Sequence, residues 1–328
     1  MRLCVVLIAA CLLSGSVRAA DVPRPADFSD APVTIVVAFA PGGLLDTTFR
    51  LVATYAAQEL GQPVVVENIT SGGNIQGNLQ AINAAPDGHV WGTWGLGLVS
   101  DELLIKQVTY THNDVTPVAM VSLNSHIICV GAQFAGRNNV ATLRDLITVV
   151  AANPGKVVFG VGGNWTSHDS VRMKLQKAAG AEFVRMPFLG GSLAAREAAD
   201  GNCDVVSPLG PEMLPYIDDA RLLPLAVTGE HRITLLPDVP TVRESGYPEL
   251  EHMLWVVVSV PKGTPQATVD YIASVLSKVM LKRELQDRLH YMGITPFLRT
   301  GGELSRFIED EYRAFKAKTE EWGIGVDR

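Results

Sequence analysis

The sequence predicts an α/β protein of two lobes joined by a two-strand hinge, with a ligand crevice between them. Three observations carry this. Strands and helices alternate along most of the chain, as they do when helices cover a parallel sheet. One layout, an apolar strand followed by a glycine-rich loop and an amphipathic helix, starts at Val33 and again at Val157. Two further apolar stretches, Val118 to Val130 and Met253 to Val260, stand where the chain would cross to a second lobe and return. Sheets of this kind place ligands in the crevice outside their strand ends.

Taken in order, Asp21 to Ala31 is an irregular lead-in, and Val33 to Phe39 is a strand. Pro41, Gly42 and Gly43 turn the chain into a helix from about Leu45 to Leu60. A strand at Val64 to Glu67, a turn at Gly72 and Gly73, and a helix to about Ala84 come next. Pro86-Asp87-Gly88 is a turn signal, and His89 to Trp94 is a strand ending in Gly95-Leu96-Gly97. This half predicts a parallel sheet. Beyond the first crossing, Leu143 to Ala152 is a helix, and Val157 to Phe159 opens a second α/β series. Its loop runs from Gly160 to Asn164 and its helix from about Ser167 to Ala179. Strands near Phe183 to Met186, Asp204 to Ser207 and Leu222 to Thr228, with a helix at Ser192 to Ala199, complete it. The end is helical, with Leu304, Phe307, Ile308, Tyr312 and Phe315 along one face. The expected division is 1–19 leader, 20–125 with 255–328 as lobe 1, and 126–254 as lobe 2.

With 328 residues, 47% hydrophobic and 19% charged, the chain is long enough to bury the cores of about two domains. The net charge of -7 and the lack of a basic stripe exclude nucleic acid as a natural partner. Arg2, the apolar run Leu3 to Leu13 and Val17-Arg18-Ala19 fit a secretory signal cleaved after Ala19. Loss of Arg2 and Arg18 would take the charge from -7 to -9. Ile8-Ala9-Ala10-Cys11 offers a lipid-attachment alternative, although the segment ahead of Cys11 is very short. Cys129 and Cys203 remain after cleavage, either as a disulfide or as buried thiols, and neither has CxxC spacing.

The chemistry lies at the two glycine loops. Each ends a strand at a helix N-terminus, where first-turn N–H groups lack partners and the helix dipole favours an anion. Two such mouths face to face would hold a small carboxylate. Gly160-Val161-Gly162 lacks the third glycine of a dinucleotide fingerprint, since Trp165 stands there. GxxxxGK, GxSxG and HExxH stretches are absent from the sequence. Ser167, His168 and Asp169 are adjacent, so their side chains diverge and cannot form a relay. Thr166 or Ser167 can cap the second helix, and His168 is either a first-turn structural residue or a polar group at the crevice. Asp46 is either a dipole partner in its helix or a crevice acceptor. Trp91 reads as core, while Trp94 and Trp165 flank glycine loops and are candidates to wall a pocket. Arg50 reads as one half of a structural ion pair. No arginine is an evident clamp, which leaves the anion to backbone N–H groups.

Several segments resemble the Bug or TctC family, the extracytoplasmic solute receptors of tripartite tricarboxylate transporters. They are FAPGGLLDTTFR at Phe39 to Arg50, GQPVVVEN at Gly61 to Asn68, SGGNIQG at Ser71 to Gly77 and APDGH at Ala85 to His89. Later come ANPGKVVFG at Ala152 to Gly160, TSH at Thr166 to His168, LAVTGEHR at Leu225 to Arg232, LPDVPTVRESGYP at Leu236 to Pro248 and PKGTP at Pro261 to Pro265. The resemblance implies a type II periplasmic-binding-protein fold that closes on a small organic carboxylate. It implies a periplasmic, monomeric binding protein that works without cofactor, metal or catalysis and serves membrane transporter subunits. Ligand-holding positions would be Phe39, Ala40, Gly42, Gly43 and Asp46, then Asn164, Thr166, Ser167 and His168, with Gly190 and Gly191 bordering the cleft. Leu44, Leu45, Trp94, Gly95 and Trp165 join this set as pocket wall. The apolar Leu44 and Leu45, the bulky Trp165 and Ile69 after Glu67-Asn68 depart from the family pattern and point to an apolar or aromatic mono- or dicarboxylate. Two alternatives stand beside this reading: a binding protein coupled to a sensor kinase, and a hydrolase or isomerase using His168 with Asp46.

Overall fold

The computed structural model describes residues 22–324 except Gly73 and Asn164. The expected signal segment and Cys11 therefore lie outside the described residues, as does Asn164 of the expected site.

The chain begins with β1 (Val33–Val37), α1 (Leu44–Leu60), β2 (Val64–Asn68), α2 (Ile75–Ile82), β3 (Val90–Trp94), α3 (Gly97–Leu104) and β4 (Val115–Ser125). It continues with β5 (Ile127–Gly131), α4 (Ala132–Asn138), α5 (Leu143–Ala152), β6 (Val158–Val161), α6 (Ser167–Ala179), β7 (Val184–Pro187) and α7 (Gly191–Ala199). Then come β8 (Val205–Val206), α8 (Gly210–Met213), β9 (Leu222–Val227), β10 (Met253–Pro261), α9 (Gln266–Met280), α10 (Arg283–Tyr291), β11 (Pro296–Thr300) and α11 (Gly301–Trp322).

These strands form two sheets, with orders β11-β4-β10-β3-β1-β2 and β7-β6-β8-β5-β9. Setting β11 aside, the two orders are the same arrangement, with β1, β2 and β3 matching β6, β7 and β8. The repeated strand, loop and helix layout is the sequence trace of this correspondence. The sheets are mixed, which corrects the expectation of a parallel sheet. β1 is parallel to β2 and β3, and β6 is parallel to β7 and β8. By contrast β10 runs antiparallel to β3 and β4, and β5 runs antiparallel to β8 and β9. The cause is the crossing itself: β5 and β10 enter from the other sheet, and so run against strands whose carboxyl ends face it.

Local sequence explains the packing. In α1, buried Leu45, Phe49, Val52, Ala56 and Leu60 recur at helical spacing, and Gly61 ends the helix in the left-handed region at φ 71. β5 is buried on both faces, with Ile128 and Val130 in one core and Ile127 and Cys129 in another. Its unbroken apolar run reflects this two-sided burial. Cys129 and Cys203 are free and buried; Cys129 Sγ lies 3.8 Å from Met213 Sδ, and Cys203 Sγ faces the Ala194 carbonyl at 3.9 Å.

At the hinge, His126 separates β4 from β5, and His252 precedes β10. Thr228 joins both crossings. Its hydroxyl accepts from His126 N at 2.9 Å and donates to the His252 carbonyl at 2.6 Å. Its N–H donates to His126 O, and its carbonyl accepts from His252 N, both at 2.9 Å. The His126 ring donates from Nδ1 to Ser207 O at 2.7 Å and stacks on His252 with centroids 5.7 Å apart. Burial, then the neighbouring His168 and His252, holds His126 well below the ordinary imidazole pKa. Burial, then Lys174 and Lys318, lowers His252 to about 3. At these two histidines the unfolded chain therefore binds more protons than the fold below pH ~6.5, and their contribution to stability is lost with acidification from there. Thermal melts between pH 7 and 4 should show His252→Gln gaining on wild type as the pH falls; parallel curves for the two proteins would refute the assignment.

Candidate ligand-binding cleft

The helix mouths at α1 and α6 are built alike. Gly42 precedes the N-cap of α1 with φ +81, and Trp165 precedes the N-cap of α6 with φ +57. In each case the third helical residue is an aspartate that turns back on the chain. Asp46 Oδ2 accepts from Gly42 N at 2.9 Å, and Asp169 Oδ2 accepts from Trp165 N at 3.1 Å. Arg50 Nε and Asn68 Nδ2 hold the other Asp46 oxygen, each at 2.9 Å. Arg172 and Arg185 hold Asp169 at 2.8 and 2.6 Å. Burial alone would raise both carboxyls, but these bonds outweigh it and hold them below the ordinary range.

Because the aspartates fix the residue before each cap, the caps themselves stay open. The N-cap residues are Gly43 and Thr166, and neither helix has a side-chain cap. Thr166 and Ser167 thus do not cap α6 through their side chains; Thr166 Oγ1 instead faces His168 Nδ1 at 3.4 Å. A left-handed tryptophan costs roughly 1–2 kcal/mol. Asp169 on its N–H and the Arg185 guanidinium 5.9 Å from the indole centroid hold it there.

Both mouths open on one cavity of about 320 Å³. Phe39, Ala40, Gly43, Leu44, Leu45, Trp94 and Gly95 line it from the first sheet's side. Trp165, Thr166, Ser167, His168, Gly190 and Gly191 line it from the second. Two expected residues lie behind the wall. Asp46 is only 4% exposed and committed to Gly42, Arg50 and Asn68, so it is a structural anchor of the mouth. Gly42 supplies the N–H that Asp46 holds, and its carbonyl accepts from Ser192 Oγ at 3.1 Å across the cleft. Trp91 is core and donates to Gly88 O, while Trp94 donates to Ser259 Oγ at 2.7 Å and turns its face to the cavity region. His168 has no contact with Asp46; its Nε2 lies 3.3 Å from Glu212 Oε2, which removes the geometric basis of a His168 and Asp46 pair.

Sequence reasoning missed the polar residues from α2, α3 and α8. Asp101 is buried, and its Oδ2 accepts from Tyr110 Oη at 2.7 Å, Asn78 Nδ2 at 3.3 Å and Asn74 Nδ2 at 3.4 Å. Burial raises it to about 7 despite these bonds. Glu212 Oε2 accepts from Leu209 N at 2.9 Å, and its carboxylate abuts Gly191 so closely that a Cβ there would lie 2.2 Å from it. A Cβ on Gly162 would meet the Gly191 backbone at 2.5 Å. The available signals were Gly95-Leu96-Gly97 after a strand, which starts α3, and Gly210-Pro211-Glu212, a proline and an acid at the start of a helix.

A family profile described as the tripartite tricarboxylate transporter family receptor matches residues 48–324. The chain belongs to this family. It is 30% identical over 317 residues to the UPF0065 protein in the tcbD-tcbE intergenic region of Pseudomonas sp. (strain P51), covering 96% of this chain and 90% of that one. Its fold is similar to the periplasmic binding protein BugD, with TM-score 0.82, 25% identity, and coverage of 90% and 99% of the two chains. It is also similar in fold to R. palustris Rpa4515 with adipate, with TM-score 0.83, 24% identity, and coverage of 90% and 98%. The receptor has the periplasmic-binding-protein fold, and its family consists of non-enzymatic solute receptors.

Two outcomes test the geometry of the receptor's cleft. Asp101 has a raised pKa in the fold, so this carboxyl binds more protons in the fold than in the unfolded chain between pH ~4 and 7, and its contribution to stability falls as the pH rises across that window by up to about 4 kcal/mol, opposite in sign to that of His126 and His252. Asp101→Asn should be more stable than wild type at pH 8, with the gain fading towards pH 4 in denaturant titrations; a gain independent of pH would contradict the burial argument. Gly162→Ala, which forces a methyl onto the Gly191 backbone, should cost about 1–3 kcal/mol in urea unfolding, and wild-type stability would show that the loop has room.

Proposed function

We propose that this receptor captures a small organic carboxylate in the periplasm and delivers it to the membrane subunits of a tripartite tricarboxylate transporter. The single observation that carries the reading is the pair of matched, uncapped helix mouths opening on one cavity. Unpaired N–H groups at both mouths favour a shared anion, and the dipoles of α1 and α6 add to the attraction. Leu44, Leu45, Trp94 and Trp165 give the remaining wall an apolar character suited to a short carbon chain or a ring. A relative of similar fold held adipate, a small organic carboxylate. Export through the N-terminal segment ending at Ala19 would place the receptor where such a transporter collects its solute.

Charge-assisted hydrogen bonds contribute about 1.5–3 kcal/mol each, so three or four, offset by the cost of closing the lobes, correspond to micromolar affinity near ~-8 kcal/mol. Closure follows from binding, since only the closed form brings both mouths to one molecule. Calorimetry and thermal shift against a panel of mono-, di- and aminocarboxylates should find a micromolar ligand. Silence across the whole panel from well-folded protein would reject the proposal, and mass spectrometry of the small molecule released from gently purified receptor gives an independent reading.

A further inference from the structure

The cavity contains two carboxylates that an ordinary dicarboxylate site does not require. Asp101 from α3 is 2% exposed and Glu212 from α8 is 4% exposed, and both line the space. Each has one oxygen committed to the protein. Asp101 Oδ2 takes the bonds from Tyr110, Asn78 and Asn74, and Glu212 Oε2 takes the Leu209 N–H and faces His168. None of these contacts involves Asp101 Oδ1 or Glu212 Oε1.

Compensating charge is scarce. Among the described residues lining the cavity there is no lysine, and Arg196, the arginine at its rim, has a side chain 56% exposed and paired with Glu197 at 3.2 Å. Glu212 has dipolar support, lying against the first residue of α7, and His168 Nε2 is 3.3 Å from its Oε2. Asp101 has only neutral donors around it. At a pH above about 7, where Asp101 is ionised, a guest with a negative charge at each end would bring one of them to a buried wall already acidic, which is repulsive at low dielectric. A guest with an ammonium group would instead gain a charge-assisted hydrogen bond there and supply the charge that Asp101 lacks.

We propose that the natural ligand is amphoteric, with one carboxylate on the α1 and α6 mouths and one protonated amine on Asp101. This rests on the carboxylate reading above and narrows its substrate class. Asp101 is then the residue that sets specificity, and the amides of Asn74 and Asn78 with the Tyr110 hydroxyl hold it in place.

The test compares three series of equal chain length by calorimetry: aminocarboxylates (glycine, β-alanine, γ-aminobutyrate, 5-aminovalerate), the monocarboxylates acetate to valerate, and the dicarboxylates malonate to adipate. One aminocarboxylate should bind at least tenfold tighter than both counterparts of its length. In Asp101→Asn that preference should vanish while monocarboxylate affinity changes by less than about threefold, and Glu212→Gln should keep it. A wild-type preference for a dicarboxylate overturns the amphoteric ligand and leaves the carboxylate receptor standing. An amine preference that survives Asp101→Asn, or is lost instead in Glu212→Gln, overturns the assignment to Asp101. Silence in all three series removes the carboxylate reading and this inference with it. The wild-type ranking needs no variant, so a poorly folded mutant does not block the decision.

Discussion

The cleft depends on an aspartate that reaches back over the first turn of its own helix to hold the N–H of the residue before the cap. Asp46 and Asp169 do this at equivalent places in the two sheets. The bond fixes a left-handed residue, Gly42 or Trp165, and so sets the angle at which strand becomes helix. It also satisfies the one N–H that would compete least well for a guest, and leaves the helical N–H groups beyond it free to act. The acids are themselves held by arginines of their own helices, Arg50 and Arg172, and by Asn68 of β2 and Arg185 of β7, which keeps their charge in place under burial. The anion-seeking property of the mouth is thus secured by an anion that never enters it.

The second determinant is topological. β5 and β10 enter from opposite sheets: β5 follows β4 after His126 alone, and β10 follows β9 after residues 228–252. Thr228 ties the two passages together through both its hydroxyl and its backbone. Buried histidines on both passages pack ring to ring, and His126 also meets His168 edge-on at 4.9 Å. The hinge and the cleft wall therefore share a contact, so a change in the conformation of one is felt at the other.

Much of this was legible in the sequence, for identifiable reasons. Apolar runs and glycine turns mark β1, β3 and β6 with their loops because a buried strand tolerates few polar residues and a sharp turn few side chains. Strand direction was not legible, because β10 reads the same whichever way it runs. Asp46 was ambiguous because a first-turn carboxylate satisfies the dipole whether it faces the ligand or the backbone; Asn68, 22 positions away, decides the matter. Asp101 and Glu212 were missed because short helices such as α3 and α8 have little periodicity, and because an isolated acid in an apolar segment shows nothing of the Tyr110 or Leu209 partners that bury it. The family resemblance supplied the arrangement of loops.

The bond from Ser192 Oγ to the Gly42 carbonyl is a neutral bridge between the rims, of a kind contributing about 0.5–1.5 kcal/mol. A clasp that weak cannot by itself detain anything against thermal agitation. Dwell time must then come from whatever molecule is enclosed, so that emptying and reopening are one event, and a downstream gate could sense occupancy merely by gripping the shut outline.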